Sequence, residues 1–154
     1  MFSEELRSAL ADAGWTPDRK VLTGHWVSQL VSEGFAMLPA AIEVLESFGG
    51  LEIHPLMVPS QVYRPGVLLF DPILATSGDF DRVDYWQKRL HMRLSPLGEI
   101  SGPVALLLAE DGRIFSCRDT ILWVVGASFE GAMENTLLIG KRWPVEYGRM
   151  SEDA

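Results

Sequence analysis

The sequence predicts a single domain of the α+β class, in which N-terminal helices pack on a largely antiparallel β-sheet and a C-terminal helix closes the fold. Three observations support this prediction. Apolar residues recur at helical spacing through the first third of the chain, short strand-like runs joined by tight turns follow, and a last amphipathic segment comes after them. A length of 154 residues suits one domain that buries an adequate core.

Three helices are predicted in the first third, and each is ended by glycine. Ser3 caps the first, the second begins near Thr23, and Pro39 takes the first position of the third. Glycine just past a helix adopts the left-handed conformation without steric cost, so Gly14 and Gly49 are expected to adopt it. The glycines that end the three helices are, in order, Gly14, Gly34 and the pair Gly49-Gly50.

The middle of the chain is predicted to form the sheet. Residues 51–54 and 67–70 have the composition of strands. Residues 104–117 are typical of a β-hairpin, because the Asp-Gly pair within them suits a tight turn, and residues 121–125 alternate as the next strand. The segment Pro96-Leu97-Gly98 is predicted to form a turn, since proline and glycine commonly interrupt regular structure.

Two further helices and a tail complete the prediction. Asp79 is expected to cap one helix, and Ser128 is expected to cap the last, which Gly140 closes. The domain is expected to occupy residues 1–146. The remaining residues, 147–154, are expected to form a flexible acidic tail.

Composition and charge restrict the possible partners. The chain has 13 basic and 21 acidic residues, a net charge of -8, which argues against direct binding of nucleic acid because phosphates require a concentrated basic face. The same charge permits a basic protein partner, although acidity for solubility is the simpler interpretation. The apolar runs are too short to span a membrane and the N-terminus lacks a secretory signal, so a cytoplasmic protein is expected.

Residue patterns that would indicate catalysis or metal binding are not found. The three histidines, His25, His54 and His91, do not share a metal-ligand spacing. Neither a Gly-x-Ser-x-Gly nucleophile motif nor a phosphate-binding loop occurs, and Cys117, the only cysteine, is expected to be a small buried hydrophobe. The sequence therefore predicts no catalytic residue, no metal and no cofactor.

A run of aspartates leads into the fourth predicted helix. It has three interpretations, in decreasing order of weight: helix capping on a solvated face, contact with a partner, and a catalytic pair of carboxylates. The tip of the hairpin adds two carboxylates, and among the five tryptophans the one after the last helix is a candidate binding hot spot. The candidate partner-binding residues are therefore Asp71, Asp79, Asp81, Asp84, Glu110, Asp111 and Trp143.

Several short motifs follow one another in a characteristic order. They are Ala13-Gly14-Trp15-x-Pro17-x-Arg19, Trp26 and Leu30 before Gly34-Phe35, Leu45-x-x-Phe48-Gly49-Gly50-Leu51, Phe70-Asp71-Pro72, Pro96-Leu97-Gly98-Glu99, Asp111-Gly112-Arg113-Ile114-Phe115, Gly126-x-Ser128-Phe129-Glu130 and Leu137-Leu138-x-Gly140. Taken in order, they resemble the SUKH superfamily of bacterial immunity proteins, and specifically its third subgroup. The resemblance departs from the family at Asp18, where glycine is general, and at Ser47, where an acidic residue is usual.

The two motifs that contain the helix-ending glycines are interpreted as helix ends rather than as sites. Trp15 and Phe48 are expected to pack inward. Arg19 is expected to pair with backbone carbonyls or with an acid near the end of the first helix while stacking on Trp15.

The resemblance implies an α+β domain that binds and neutralises a cognate polymorphic toxin, commonly a nuclease, without catalysis of its own. Binding residues vary within the family, so none is carried over. Two other functions stay open: a regulatory or scaffold module that binds proteins without a toxin partner, and a small hydrolase that uses the carboxylates between Asp71 and Asp84. The sequence determines neither the identity of the toxin nor the oligomeric state.

Overall fold

The computed structural model describes residues 2–56, 66–101, 103–138 and 144–151. These residues form five helices and seven strands. The helices are α1 (Glu4–Asp12), α2 (Gly24–Ser32), α3 (Pro39–Phe48), α4 (Phe80–Leu90) and α5 (Phe129–Leu137). The strands are β1 (Glu52–Ile53), β2 (Leu68–Leu69), β3 (Leu94–Ile100), β4 (Val104–Ala109), β5 (Ile114–Arg118), β6 (Ile121–Gly126) and β7 (Val145–Arg149).

The seven strands form one antiparallel sheet in which each strand pairs with its neighbours in sequence, from β1 at one edge to β7 at the other. The predicted α+β fold, with helices packed on a largely antiparallel sheet, is confirmed. Every connection joins adjacent antiparallel strands, so the sheet forms without crossing from one edge to the other.

The sheet is the middle layer of the molecule, since both of its faces are buried. Along β4, Leu106 and Leu108 point into a core formed with α1, α3 and α5. Leu107 and Ala109 alternate with them and point into a second core formed with α4 and with Leu30 of α2. A strand covered on both faces has no solvent-facing polar positions, and this explains the unbroken apolar sequence of β4.

The predicted helix starts are observed. Ser3 Oγ accepts a hydrogen bond from Leu6 N at 3.3 Å, Ser128 Oγ accepts one from Gly131 N at 3.1 Å, and Pro39 is the first residue of α3. Asp79 is the N-cap residue of α4, but its carboxylate binds Arg82 instead of a helix N–H. The last helix ends at Leu137, and Gly140, which is predicted to close it, lies outside the described residues.

One glycine prediction is correct and the other is wrong. Gly14 is left-handed, with φ +97°, as expected. Gly49 has φ -52°, and Gly50 takes the left-handed conformation with φ +83°. Gly49 is required for space instead, because a Cβ atom there would lie 2.5 Å from Cζ3 of Trp26.

The prediction of a turn at Pro96-Leu97-Gly98 is also wrong, because these residues lie within β3. A β-bulge between Pro96 and Gly98 shifts the register against β4. Pro96 is tolerated because β2 pairs only with Glu99 and Ile100, so the missing N–H of Pro96 faces no strand on that side. Leu97 is fully buried in the core with α1 and α3, which adds apolar burial to this strand.

The sheet continues beyond residue 146, where the flexible tail is predicted to begin. Residues 147–149 belong to β7 and pair with β6. The ring of Tyr147 makes edge contacts with Trp86 of α4 and Phe115 of β5, at centroid distances of 6.1 and 6.0 Å. The strand pairing and these ring contacts therefore place residues 147–149 in the sheet, although the sequence assigns them to a tail.

Two sequence motifs meet at the C-terminal end of α3. The rings of Trp15 and Phe48 stack at 5.3 Å with an interplanar angle of 6°, and Trp15 Nε1 donates to Ser47 Oγ at 2.9 Å. The guanidinium of Arg19 donates to the carbonyl oxygens of Ser47 and Gly49 at 2.7 and 2.8 Å. Arg19 therefore pairs with backbone carbonyls, as expected, but with those that end α3 and not α1. A cation is favourable there because the last carbonyls of a helix carry partial negative charge.

Replacement of Arg19 by alanine should lower the free energy of unfolding by about 2 kcal/mol, because two part-buried carbonyl oxygens lose a charged donor. Lys20→Ala is the matched control. Its side chain is 76% exposed and its amine is 3.9 Å from Glu46, so the expected change is within about 0.5 kcal/mol. Urea denaturation of both variants measures the difference, and equal losses would contradict the role given to Arg19.

Candidate functional site

The acidic residues predicted to bind a partner lie along α4 and at the turn between β4 and β5. Asp81 is in the first turn of α4, and Asp84 follows one turn later. Glu110 lies beside the other end of the helix, where it lines a shallow open pocket of about 260 Å³ together with Gln87 and His91. The structure thus places several of the predicted residues around one helix.

Two carboxylates at α4, those of the N-cap residue Asp79 and of Asp84, have cationic partners in the helix. Asp79 forms an ion pair with Arg82. Asp84 forms one with Lys88 at 2.9 Å and accepts a hydrogen bond from Gln87 at 3.2 Å. The hydrogen bond from Lys88 is the main cause of the lowered pKa of Asp84. A general acid requires a raised pKa, so this environment does not favour the hydrolase interpretation.

The carboxylates at the hairpin tip are held by arginines. Glu110 Oε1 accepts from the backbone N–H of Arg93 at 2.6 Å and from its Nε at 3.0 Å, and the backbone bond is the main cause of the lowered pKa of Glu110. Asp111 accepts from the backbone N–H and the Nε of Arg113, at 3.1 and 2.8 Å. Both acids therefore stabilise the turn in which they lie.

The remaining predicted residues differ in their surroundings. Asp71 Oδ1 accepts hydrogen bonds from the backbone N–H groups of Ile73 and Leu74, at 3.0 and 3.3 Å, so it shapes the following turn. Asp81 is exposed and makes no hydrogen bond or ion pair within the described part of the chain. Trp143 lies outside the described residues.

The excess of negative charge lies on a different surface. Helices α1, α3 and α5 together carry seven acidic side chains and one basic side chain, Arg7, and Lys20 of the loop after α1 lies 3.9 Å from Glu46 of α3. Helix α4 carries two acidic and three basic side chains. The acidic side chains of these three helices are Glu4, Glu5, Asp12, Glu43, Glu46, Glu130 and Glu134. We call this set the acidic helix layer.

The acidic helix layer is not among the sites predicted from sequence, although each of its predicted helices carries more acidic than basic residues. Its members are spread from residue 4 to residue 134, and the sheet brings them to one side by packing α1, α3 and α5 on the same face. The aspartates before and within α4 are closer together in sequence, but two of them, Asp79 and Asp84, form ion pairs with basic residues of the same helix.

Other kinds of site receive no support from the described residues. Within them, no group of three or more His, Cys, Asp and Glu side chains is arranged to hold a metal ion. The thiol of Cys117 is buried, and burial is the main cause of its raised pKa, so it is a poor nucleophile. Across the same ranges, every helix is too short or too polar to cross a bilayer.

Glu110→Gln should lower stability in a pH-dependent way. The folded state holds the pKa of Glu110 below its unfolded value, so the contribution to stability is fully present above the unfolded pKa and is lost as the pH falls through the folded pKa. The difference in unfolding free energy between wild type and Glu110→Gln should therefore be largest near pH 7 and should shrink below about pH 4.

Chemical denaturation across this pH range measures the effect. Glu43→Gln, which removes one exposed negative charge from α3, controls for the change in net charge. A stability difference for Glu110→Gln that stayed constant from pH 7 to about pH 3 would show that the carboxylate is not stabilised by its bonds to Arg93.

Comparison with known protein families and structures provides the assignment. Residues 2–140 match the family described as the SUKH-3 immunity protein. The matched region includes all five helices and the strands from β1 to β6. Searches of curated proteins and of solved structures found no significant match. The resemblance noted from the short motifs is confirmed, and the chain belongs to the SUKH-3 immunity protein family.

Proposed function

We propose that the protein binds and neutralises a cognate polymorphic toxin in the bacterial cytosol, and that it does so by occlusion, without catalysing a reaction itself. The observation that carries this proposal is the family match over residues 2–140. Among the described residues, the acidic side chains along α4 and at the hairpin tip that have partners are held by cations or backbone N–H groups, which suits a structural role better than a catalytic one.

We further propose that the toxin is basic and acts on nucleic acid, as a nuclease does. Proteins that act on nucleic acid need a positively charged face, because they bind phosphates. An acidic inhibitor would be attracted to that face and would compete with the substrate for it. The net charge of -8 supports such a partner.

The acidic helix layer is the surface that we propose faces the toxin during its approach. Its seven acidic side chains outnumber the three basic side chains on or beside these helices, Arg7, Arg19 and Lys20, so it is the origin of most of the attraction. The residues predicted from sequence along α4 and at the hairpin tip remain candidates for direct contact. Their neighbouring cations cancel much of their long-range field, so they contribute less to steering.

Co-expression tests the function. The toxin domain encoded next to this gene should stop growth when expressed alone, and co-expression of this protein should restore growth. A catalytically inactive form of the toxin should form a stable complex with it in pull-down and calorimetry. Binding to other proteins without rescue of growth would contradict the proposal and support the scaffold function instead.

Two matched triple variants test the approach surface. Glu4→Gln/Glu5→Gln/Asp12→Asn removes three negative charges from α1, and Asp81→Asn/Asp84→Asn/Glu110→Gln removes three from the region around α4. At low salt, the α1 variant should associate with the toxin about 3- to 10-fold more slowly, and the α4 variant should associate less than about 2-fold more slowly.

Stopped-flow kinetics at several salt concentrations measures both variants, after circular dichroism has shown that they are folded. The α1 effect should disappear near 1 M salt, where charges are screened over about 3 Å. A larger loss for the α4 variant would instead assign the approach surface to the residues predicted from sequence.

A further inference from the structure

One large apolar side chain is almost completely exposed. Leu22, which lies just before α2, is 88% exposed, more than any other large hydrophobic side chain in the described part of the chain. It belongs to neither of the two cores. Burial of an apolar side chain is favourable, so the exposed Leu22 leaves binding energy that only a partner can use.

The backbone that carries Leu22 is held in place. Val21 N donates to the main-chain oxygen of Glu46 in α3 at 2.8 Å. Shortly before it, Arg19 is tied to the carbonyls that end the same helix. Helix α2 begins at Gly24, directly after this segment. Because the segment is already ordered, a partner that covers Leu22 would lose little affinity to the ordering of a loop.

The exposed side of α2 continues this surface and has no charged residue. Trp26 and Leu30 face the interior, and all nine residues of the helix are uncharged. The central part of a protein interface is commonly poor in charged residues and is surrounded by a polar rim. We call the following side chains the neutral face: Leu22, His25, Ser28, Gln29, Val31 and Ser32.

Carboxylates outnumber cations beside the neutral face at Leu22. Glu46 lies next to this segment, Glu43 is one turn earlier on the same helix, and Asp18 is exposed in the loop before it. The exposed cation of the loop is Lys20, whose amine is 3.9 Å from Glu46. A second copy of this chain would bring like charges together here, whereas a basic protein would meet opposite charges. The surroundings of Leu22 therefore favour a basic partner.

We propose that the neutral face is the contact core of the complex with the basic toxin, with Leu22 packed among apolar side chains of the toxin and Glu43 and Glu46 beside its basic ones. The assignment rests on the proposed function, and it adds the surface that holds the complex together after the acidic helix layer has attracted the toxin. Steering charges mainly set the association rate, whereas packed contacts mainly set the dissociation rate. The two surfaces therefore differ in which rate they control.

Stopped-flow association and dissociation kinetics with a catalytically inactive toxin test the contact core. Leu22→Gln should speed dissociation about 10-fold or more, because apolar burial is lost, and should change association less than about 2-fold, because the net charge is kept. Addition of Val31→Gln should speed dissociation further. Val145→Gln, at a β7 side chain that is 66% exposed, is the matched control and should leave both rates as in the wild type.

The outcomes separate this contact core from the proposed function. A wild-type complex that forms and restores growth, but from which Leu22→Gln dissociates no faster than the wild type, would overturn the contact core and leave the function standing. Equal acceleration by Leu22→Gln and Val145→Gln would also overturn it. A wild type that neither binds the toxin nor restores growth would overturn the function, and the contact core with it. Circular dichroism checks that each variant is folded.

Discussion

The hydrogen bonds of Arg19 and the stacked ring of Trp15 at the end of α3 fix the relative positions of the parts around them. The bonds tie the segment after α1 to the last carbonyls of α3. The chain then enters β1, and Gly50 N donates to Phe70 O at 2.8 Å, which ties this point to the end of β2. Phe48 also contacts the ring of Phe129 in α5 at 5.1 Å. Two helices, two strands and the last helix thus meet at one small cluster.

The residues that identify the family belong to this scaffold. Trp15 Nε1 donates to the hydroxyl oxygen of Ser47 at 2.9 Å. Gly49 leaves room for Trp26, and Phe48 is buried. Such residues are constrained by packing, whereas exposed residues on the same helices are not. A fold of this kind can therefore keep its interior while its surface is adapted to different partners.

The distribution of charge between the layers follows from the same architecture. The sheet separates a layer of α1, α3 and α5, rich in acidic residues, from α4, where Asp84 and the N-cap residue Asp79 pair with cations and basic side chains outnumber acidic ones. Charges separated by more than about 8 Å of solvent are largely screened at physiological salt. The acidic helix layer can consequently attract a basic partner while the α4 side stays close to neutral.

The sequence by itself determined the helix starts at Ser3, Pro39 and Ser128, the hairpin of β4 and β5, and the fold class, because these depend on local capping, turn chemistry and periodicity. Where local preference and long-range pairing disagree, only the tertiary structure decided which element forms. Pro96 and Gly98 favour a turn locally, yet pairing with β4 and the burial of Leu97 place them in a strand.

The candidate site shows the same division. The aspartates around α4 are apparent from the charges along the chain. The arginine that holds Glu110 is not, because Arg93 is 17 residues away and reaches Glu110 only through the pairing of β3 with β4. Residues 145–149 form a strand because β6 supplies hydrogen bonds and Trp86 supplies an aromatic contact, neither of which a window of five residues contains. Local sequence thus specified the elements, and contacts between distant residues decided which charges are neutralised and which strand ends the sheet.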